Sequence, residues 1–329
     1  MTPENDIPNM NETPRPQTIP HFVAPLDETP LQATDKVDEG AAPSSLWKEA
    51  WRNLRRQPLF ILSAFLIIVV VLVALFPGLF SPLNPADDKC LLENSNGPAS
   101  AGHPLGFTQQ GCDVYARVIF GTQNSVTVGV FTTLAVVLFG GAIGALAGYY
   151  GGWVDAVLAR ISDIFFALPM ILGAIVVMQL PMFRSSRTAW TLVVILALFG
   201  WPQVARITRG AVIEVRNADF ITSARSLGVS RFRALLRHVI PNAMAPVIVV
   251  ATISLGTFIA AESTLSFLGI GLPPSAMSWG NDIQSAQASL RSNPWPLLWP
   301  SFALILTVLS FMMLGDALRD ALDPKARKR

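Results

Sequence analysis

The sequence predicts an all-α, polytopic membrane protein with six transmembrane helices. Three observations carry that prediction. Of 329 residues, 51% are hydrophobic and only 14% charged, where a soluble domain carries about a quarter charged residues. Six charge-free apolar runs are long enough to cross a bilayer, which takes roughly 20 residues at about 1.5 Å rise each. The basic residues fall on one side of the resulting topology.

The runs are residues 59–76, 126–149, 164–183, 188–205, 242–261 and 295–314. The first starts too far into the chain, without the short n-region of a cleaved signal peptide, and it reads as an uncleaved span. Residues 1–45 carry Pro8, Pro14, Pro16, Pro20, Pro25 and Pro30 among acidic and polar residues with no apolar periodicity. Such a segment is expected to be a disordered tail, because it cannot bury enough surface to offset chain entropy. Residues 46–58 form an expected interfacial helix. Leu46, Trp47, Ala50, Trp51 and Leu54 share one face, and Lys48, Arg52, Arg55 and Arg56 surround it.

The six-helix transmembrane core then covers residues 59–324, followed by a basic end at 325–329. Six spans place both termini on one side. With the N-terminus inside, the inner segments hold 19 lysines and arginines and the outer segments 5, so both termini are expected in the cytoplasm. Residues 81–120 and 266–294 become outer loops. Cys90 and Cys112, the only cysteines, fall in the first of these, facing an oxidising space in bacteria. A disulfide there would close a loop of about 22 residues, worth about 3 kcal/mol in the chain-entropy model. Two unpaired thiols are the alternative.

The inner connection 206–241 carries two amphipathic stretches. Phe220, Ile221, Ala224 and Leu227 follow helical spacing, as do Phe232, Leu235, Leu236 and Val239. Gly228 stands between them, where a positive φ is inexpensive. Ser230 is placed to cap the second helix and Pro241 to end it. In a connection with seven arginines, this helix–turn–helix suits either a groove on another protein or an anionic lipid surface. Pattern alone leaves both open.

The stretch DFITSARSLG at 219–228 and RHVIPN at 237–242 resemble the coupling loop, or EAA loop, of ATP-binding-cassette importer permeases. By position, Asp219 opens the motif. Thr222, Ser223 and Ala224 match its Glu-Ala-Ala triplet, with threonine in place of the glutamate; Gly228 matches the glycine, and Ile240 and Pro241 the trailing apolar–proline pair. Further likenesses narrow the family to the dipeptide, oligopeptide and nickel permeases, second or C-type subunit. They are GCDVYAR at 111–117, GYYGGWVD at 148–155, LSFLGIG at 265–271 with Pro273, Pro274 and SWGN at 278–281, and GDALRDALDP at 315–324. Cys112 stands where the family carries arginine.

The resemblance implies a type I importer-like permease in the bacterial inner membrane, forming half of a path for peptides, or for nickel chelates or glutathione on the same scaffold. It also implies partners: a homologous second permease, two ATPases that bind ATP and magnesium, and an extracytoplasmic solute-binding protein. No cofactor is expected in this chain. There is no Gly-x4-Gly-Lys-Ser/Thr loop and no His-Glu-x-x-His, so neither ATP nor a metal site is expected and the chain is read as no enzyme. A net charge of +2 excludes nucleic acid as a partner. The spans lack the acidic and histidine relay of a proton-coupled carrier.

Two features stay open in the sequence. Gly140, Gly144 and Gly148 recur every four residues, a ridge that serves packing within the subunit or between subunits. Glu262 ends the fifth run and either lines the solute path or pairs with a neighbour.

Overall fold

The computed structural model describes residues 51–85 and 90–322. The predicted tail 1–45, the first part of the interfacial helix and the basic end 325–329 lie outside the described residues. Among the described residues every regular element is a helix, with two isolated β-bridges in the largely irregular segment before the second long helix.

Residues 51–54 form a helical turn, and Trp51 sets its ring edge-on to Phe60, 6.0 Å away. Helix α1 (Pro58–Leu75) then starts on a proline at its first position, where no amide donor is needed. Cys90 and Cys112 are joined in a disulfide, closing the segment that leads into α2 (Val114–Tyr150). Asp113 caps α2, accepting from the Ala116 amide at 2.6 Å, and its other oxygen meets His103 Nδ1 at 2.6 Å. The helix has 37 residues and so is about 55 Å long. That exceeds a hydrocarbon core of about 30 Å, so its first turns, which carry Arg117, stand beyond the apolar run 126–149.

The third run does not form one straight span. Helix α3 (Gly152–Ala167) and helix α4 (Met170–Met178) meet at 80°. Pro169 is the reason, because its ring drives the preceding residue out of the helical region. Leu168 is extended at φ −102°, ψ 120°. Five further helices are long and apolar enough to cross, and the bent pair makes the sixth crossing where it counts as one.

Helix α5 (Ala189–Arg216) is capped by Thr188, which accepts from the Thr191 amide at 3.2 Å. It continues eleven residues past the apolar run into what the sequence placed in the inner connection. The short α6 (Asp219–Ser226) follows, and then α7 (Arg231–Phe267), a single 37-residue helix. Pro241 therefore does not end a coupling helix. A π-helical turn at Leu235–Val239 takes up the amide and the space that the proline denies, and the Asn242 side-chain amide donates to the His238 carbonyl at 2.6 Å. After α7 come the short α8 (Trp279–Ala286) and the last long helix, α9 (Trp295–Leu322).

The most extensive packing is between α2 and α5, and the glycine ridge makes it. A Cβ at Gly140, Gly144 or Gly148 would lie 2.5, 2.2 or 2.7 Å from the carbonyl oxygens of Trp201, Ala205 and Arg209. The ridge thus serves packing inside this chain, with two backbones in contact where no side chain fits between them. Gly141, one residue along, has nothing within 4 Å of its Cβ position. Gly144→Ala should force the helices apart and lower stability by about 1–3 kcal/mol, while Gly141→Ala should be neutral or slightly stabilising. Thermal unfolding of the two variants in detergent checks this, and equal midpoints would count against the seam.

Candidate functional site: the helix–turn–helix end and the disulfide end

The helix–turn–helix is built on the arginine-rich end of α2 and α5. Asp219 occupies the first turn of α6, where a carboxylate suits the helix dipole. The helix ends at Leu227 and reverses at Gly228, which has φ +88°. Two bonds close the turn: the Gly228 amide donates to the Arg225 carbonyl at 3.0 Å, and the Val229 amide to that of Ala224 at 3.2 Å. That is a Schellman closure, for which a left-handed residue is required. Space is not the constraint, since nothing lies within 4 Å of a Cβ at Gly228. Ser230 holds the cap position of α7 with extended backbone, yet its hydroxyl makes no capping bond.

The apolar residues of both stretches divide between two surfaces. Ile221, Leu235 and Val239 are buried with Ala145 and Tyr149 of α2 and Ala211 and Val212 of α5, and Ile240 packs at the edge of that cluster. Phe220, Leu227, Phe232 and Leu236 face outward, with Leu227 86% exposed at the tip. Thr222, Ser223 and Pro241 are exposed beside them, and Ala224 is half-buried. Ser223 and Ser226 hydroxyls bond back to the Asp219 and Thr222 carbonyls at 3.0 and 3.1 Å.

Arginines that the sequence showed only as a basic cluster hold this base together. Arg216 donates to the Gly148 and Tyr149 carbonyls at 2.9 and 3.1 Å, closing the end of α2. Arg209 forks onto Asp155 of α3, one arm at 2.6 Å. Arg206 lies 4.0 Å over the Phe166 ring.

The disulfide end differs in kind, because its polar groups pair inside the chain. Glu262 is fully buried, so it opens onto no surface of this chain. It accepts from the Ser125 and Ser266 hydroxyls at 2.8 Å each and from Ser263 at 3.2 Å. Ser278 caps α8, accepting from the Asn281 amide at 3.2 Å. Trp279, next to it, is buried and donates from its indole nitrogen to the Val118 carbonyl at 3.1 Å. Arg117 of α2 grips Asp282 of α8 through Nε at 2.7 Å and a second nitrogen. Burial pushes the Asp282 carboxyl above the usual carboxylate range, and Arg117 opposes that push. No local pattern announced this pair, whose partners are 165 residues apart. The sequence signal was a single arginine at the start of a helix bound for lipid.

A bundle of long apolar helices, one of them broken, that carries an exposed helix–turn–helix at its basic end is the architecture of a membrane permease. A family model described as binding-protein-dependent transport system inner membrane component matches residues 140–328, and the N-terminal transmembrane domain of oligopeptide transport permease C matches residues 45–98. Among curated proteins, the chain is 35% identical over 301 residues to the dipeptide transport system permease protein DppC of Alkalihalophilus pseudofirmus, covering 91% of this chain and 96% of that one. It is 37% identical to the glutathione transport system permease protein GsiD of an Escherichia coli strain, over 92% of this chain and 97% of that one. It is 34% identical to the oligopeptide transport system permease protein OppC of Bacillus subtilis, over 86% and 91%. The chain belongs to the binding-protein-dependent permeases of ATP-binding-cassette importers, in the C-type branch.

The buried Arg117–Asp282 pair yields a prediction with an internal control. Arg117→Ala strands a buried carboxyl and should lower stability by about 3–5 kcal/mol. Arg117→Ala with Asp282→Asn removes the stranded charge and should recover a large part of that loss. Detergent-phase thermal melts of the two variants decide it, and a double variant no better than the single one would count against the pairing.

Proposed function

We propose that this chain is one of two membrane subunits of an ATP-driven importer of peptides, and that α6, its glycine turn and the start of α7 dock into a cytoplasmic ATPase. The observation that carries the proposal is the outward set Phe220, Leu227, Phe232 and Leu236, held on a base that the chain buries for itself. The importer would comprise a homologous second permease, two ATPases that hold ATP and magnesium, and an extracytoplasmic solute-binding protein. The 19 to 5 division of basic residues supports cytoplasmic termini, with the disulfide on the outer face of the inner membrane. Relatives named for dipeptide, oligopeptide and glutathione transport support a peptide-class solute.

ATP-driven closure of the two ATPases would draw the docked loops together and tilt the helices rooted beneath them. In this reading Asp219, Thr222, Ser223 and Ala224 present the docking face, Gly228 sets the turn, and Ile240 and Pro241 join the turn to the spanning part of α7. Leu227→Asp with Phe232→Asp should leave membrane insertion intact and remove the ATPases from the purified complex; their retention would sink the docking assignment. Gly228→Val places a β-branched residue at φ +88°, a strain of about 1–3 kcal/mol. Solute uptake should fall at least tenfold while the membrane level of the protein stays unchanged.

A further inference from the structure

The break between α3 and α4 sits where a membrane protein can least tolerate one. Phe165, just before it, lies 6.0 Å from the Phe199 ring of α5, and a Cβ on Gly173, just after it, would run into the same ring. The next residue of α5, Gly200, is set against Val136 of α2 and Phe258 of α7. Val136 is near the centre of the apolar run 126–149, so the break lies close to mid-membrane. The last carbonyls of α3 have no partner within their helix, and Pro169 brings no amide hydrogen. Lipid cannot satisfy such groups. Irregular backbone at this depth persists where protein covers it or where it lines a watery cavity.

A cavity of about 250 Å³ opens at the break, walled by α5 and α7. It is open on the side of this chain, for Phe166 and Leu168 are 46% and 53% exposed. Three polar side chains line it, Gln203 of α5 and Ser254 and Thr257 of α7, of which Gln203 and Thr257 are exposed and Ser254 is buried. The Gln203 amide has no hydrogen-bond partner among the described residues. The Thr257 hydroxyl donates to the Ile253 carbonyl at 3.2 Å, which leaves its oxygen free to accept. No charged residue lines the cavity. An unpartnered primary amide and a hydroxyl acceptor, kept at membrane depth, call for a ligand that is itself uncharged and polar at the contact.

We infer that this break, with Gln203 and Thr257, is a contact site for the solute in transit, and that it holds the backbone amide of a peptide. A peptide bond offers one donor and one acceptor, matching the glutamine amide and the threonine oxygen. The aromatic walls from Phe165, Phe199 and Phe258 receive side chains of many kinds without a charge to discriminate among them. This rests on the reading of the chain as a peptide importer subunit, and adds which surface the peptide meets.

The test uses the complete importer in membranes and single cysteines at three positions. Cys90 and Cys112 are bridged, so an unreduced sample gives no background. Gln203→Cys and Thr257→Cys should react with a water-soluble maleimide, and trialanine, dialanine or glutathione should slow that reaction severalfold. Val194→Cys, nine residues from Gln203 and so half a turn round α5, is 60% exposed and should show no such protection. Gln203→Ala should reduce transport at saturating solute about tenfold. Thiols at 203 and 257 that never react would mean that the second permease fills the cavity, and thiols that react without protection would mean that water alone does; either result overturns the site. Docking of the ATPases is read separately, by their co-purification with each cysteine variant. A lost ATPase then points to the inner surface, and lost protection to this one.

Discussion

The contact on which the rest depends is the backbone-to-backbone seam between α2 and α5. Lipid gives helices no hydrophobic reason to associate, so close van der Waals approach has to supply the attraction. Gly140, Gly144 and Gly148 let α2 settle onto the carbonyls of Trp201, Ala205 and Arg209. Both helices advance four residues per contact, so the seam fixes their register as well as their distance. Arg216 then falls where it can close the last carbonyls of α2, and Arg209 where it can hold Asp155 and with it α3. The floor under the helix–turn–helix, made of Ala145, Tyr149, Ala211 and Val212, is the basic end of the same seam.

The two ends of the bundle use their polar groups differently. At the disulfide end, Glu262, Ser125, Ser266, Arg117 and Asp282 pair among themselves and tie α2, α7 and α8 into one cap. At the basic end, charges and apolar side chains are left facing outward. Helix α7 joins the two, running unbroken from Arg231 to Phe267. Its compliant places are the π-helical turn at Leu235–Val239 and Pro246, both known sources of helix bending. The tip and the Glu262 cluster therefore stand on a single element with two joints.

What the sequence showed and what it concealed separate by range. Charge-free runs located the spans because lipid excludes charge one residue at a time. Gly228 was legible because a left-handed residue between two amphipathic stretches is a local requirement. The break in the third run was hidden by uninterrupted hydrophobicity, though Pro169 was its signal, and the full lengths of α2 and α5 were hidden because helices continue past the lipid into polar sequence. Glu262 stayed open because one of its partners, Ser125, comes from 137 residues away. Periodicity named eight apolar residues of the helix–turn–helix but missed Val229 and Ala234, and it did not tell which ones the chain would cover, since the covering surface belongs to α2 and α5.

That division of the apolar residues bears on what the helix–turn–helix is for. An amphipathic helix resting on lipid spreads one continuous apolar stripe along the surface with its cations at the flanks. Here the inward stripe of Ile221, Leu235 and Val239 is already consumed by the chain itself. What remains outside is a projection: Leu227 at the very tip, Phe220 and Phe232 to either side of the turn. A bilayer receives a projection of this kind poorly, because a tip offers little area and the exposed backbone of the turn would enter with it. A cleft in a protein receives it well, as an anchor residue enclosed by a ring of lesser contacts. In the docked arrangement proposed above, the buried half would be the root that ties the tip to α2 and α5, and a projection rooted in this way suits transmission of motion as well as binding.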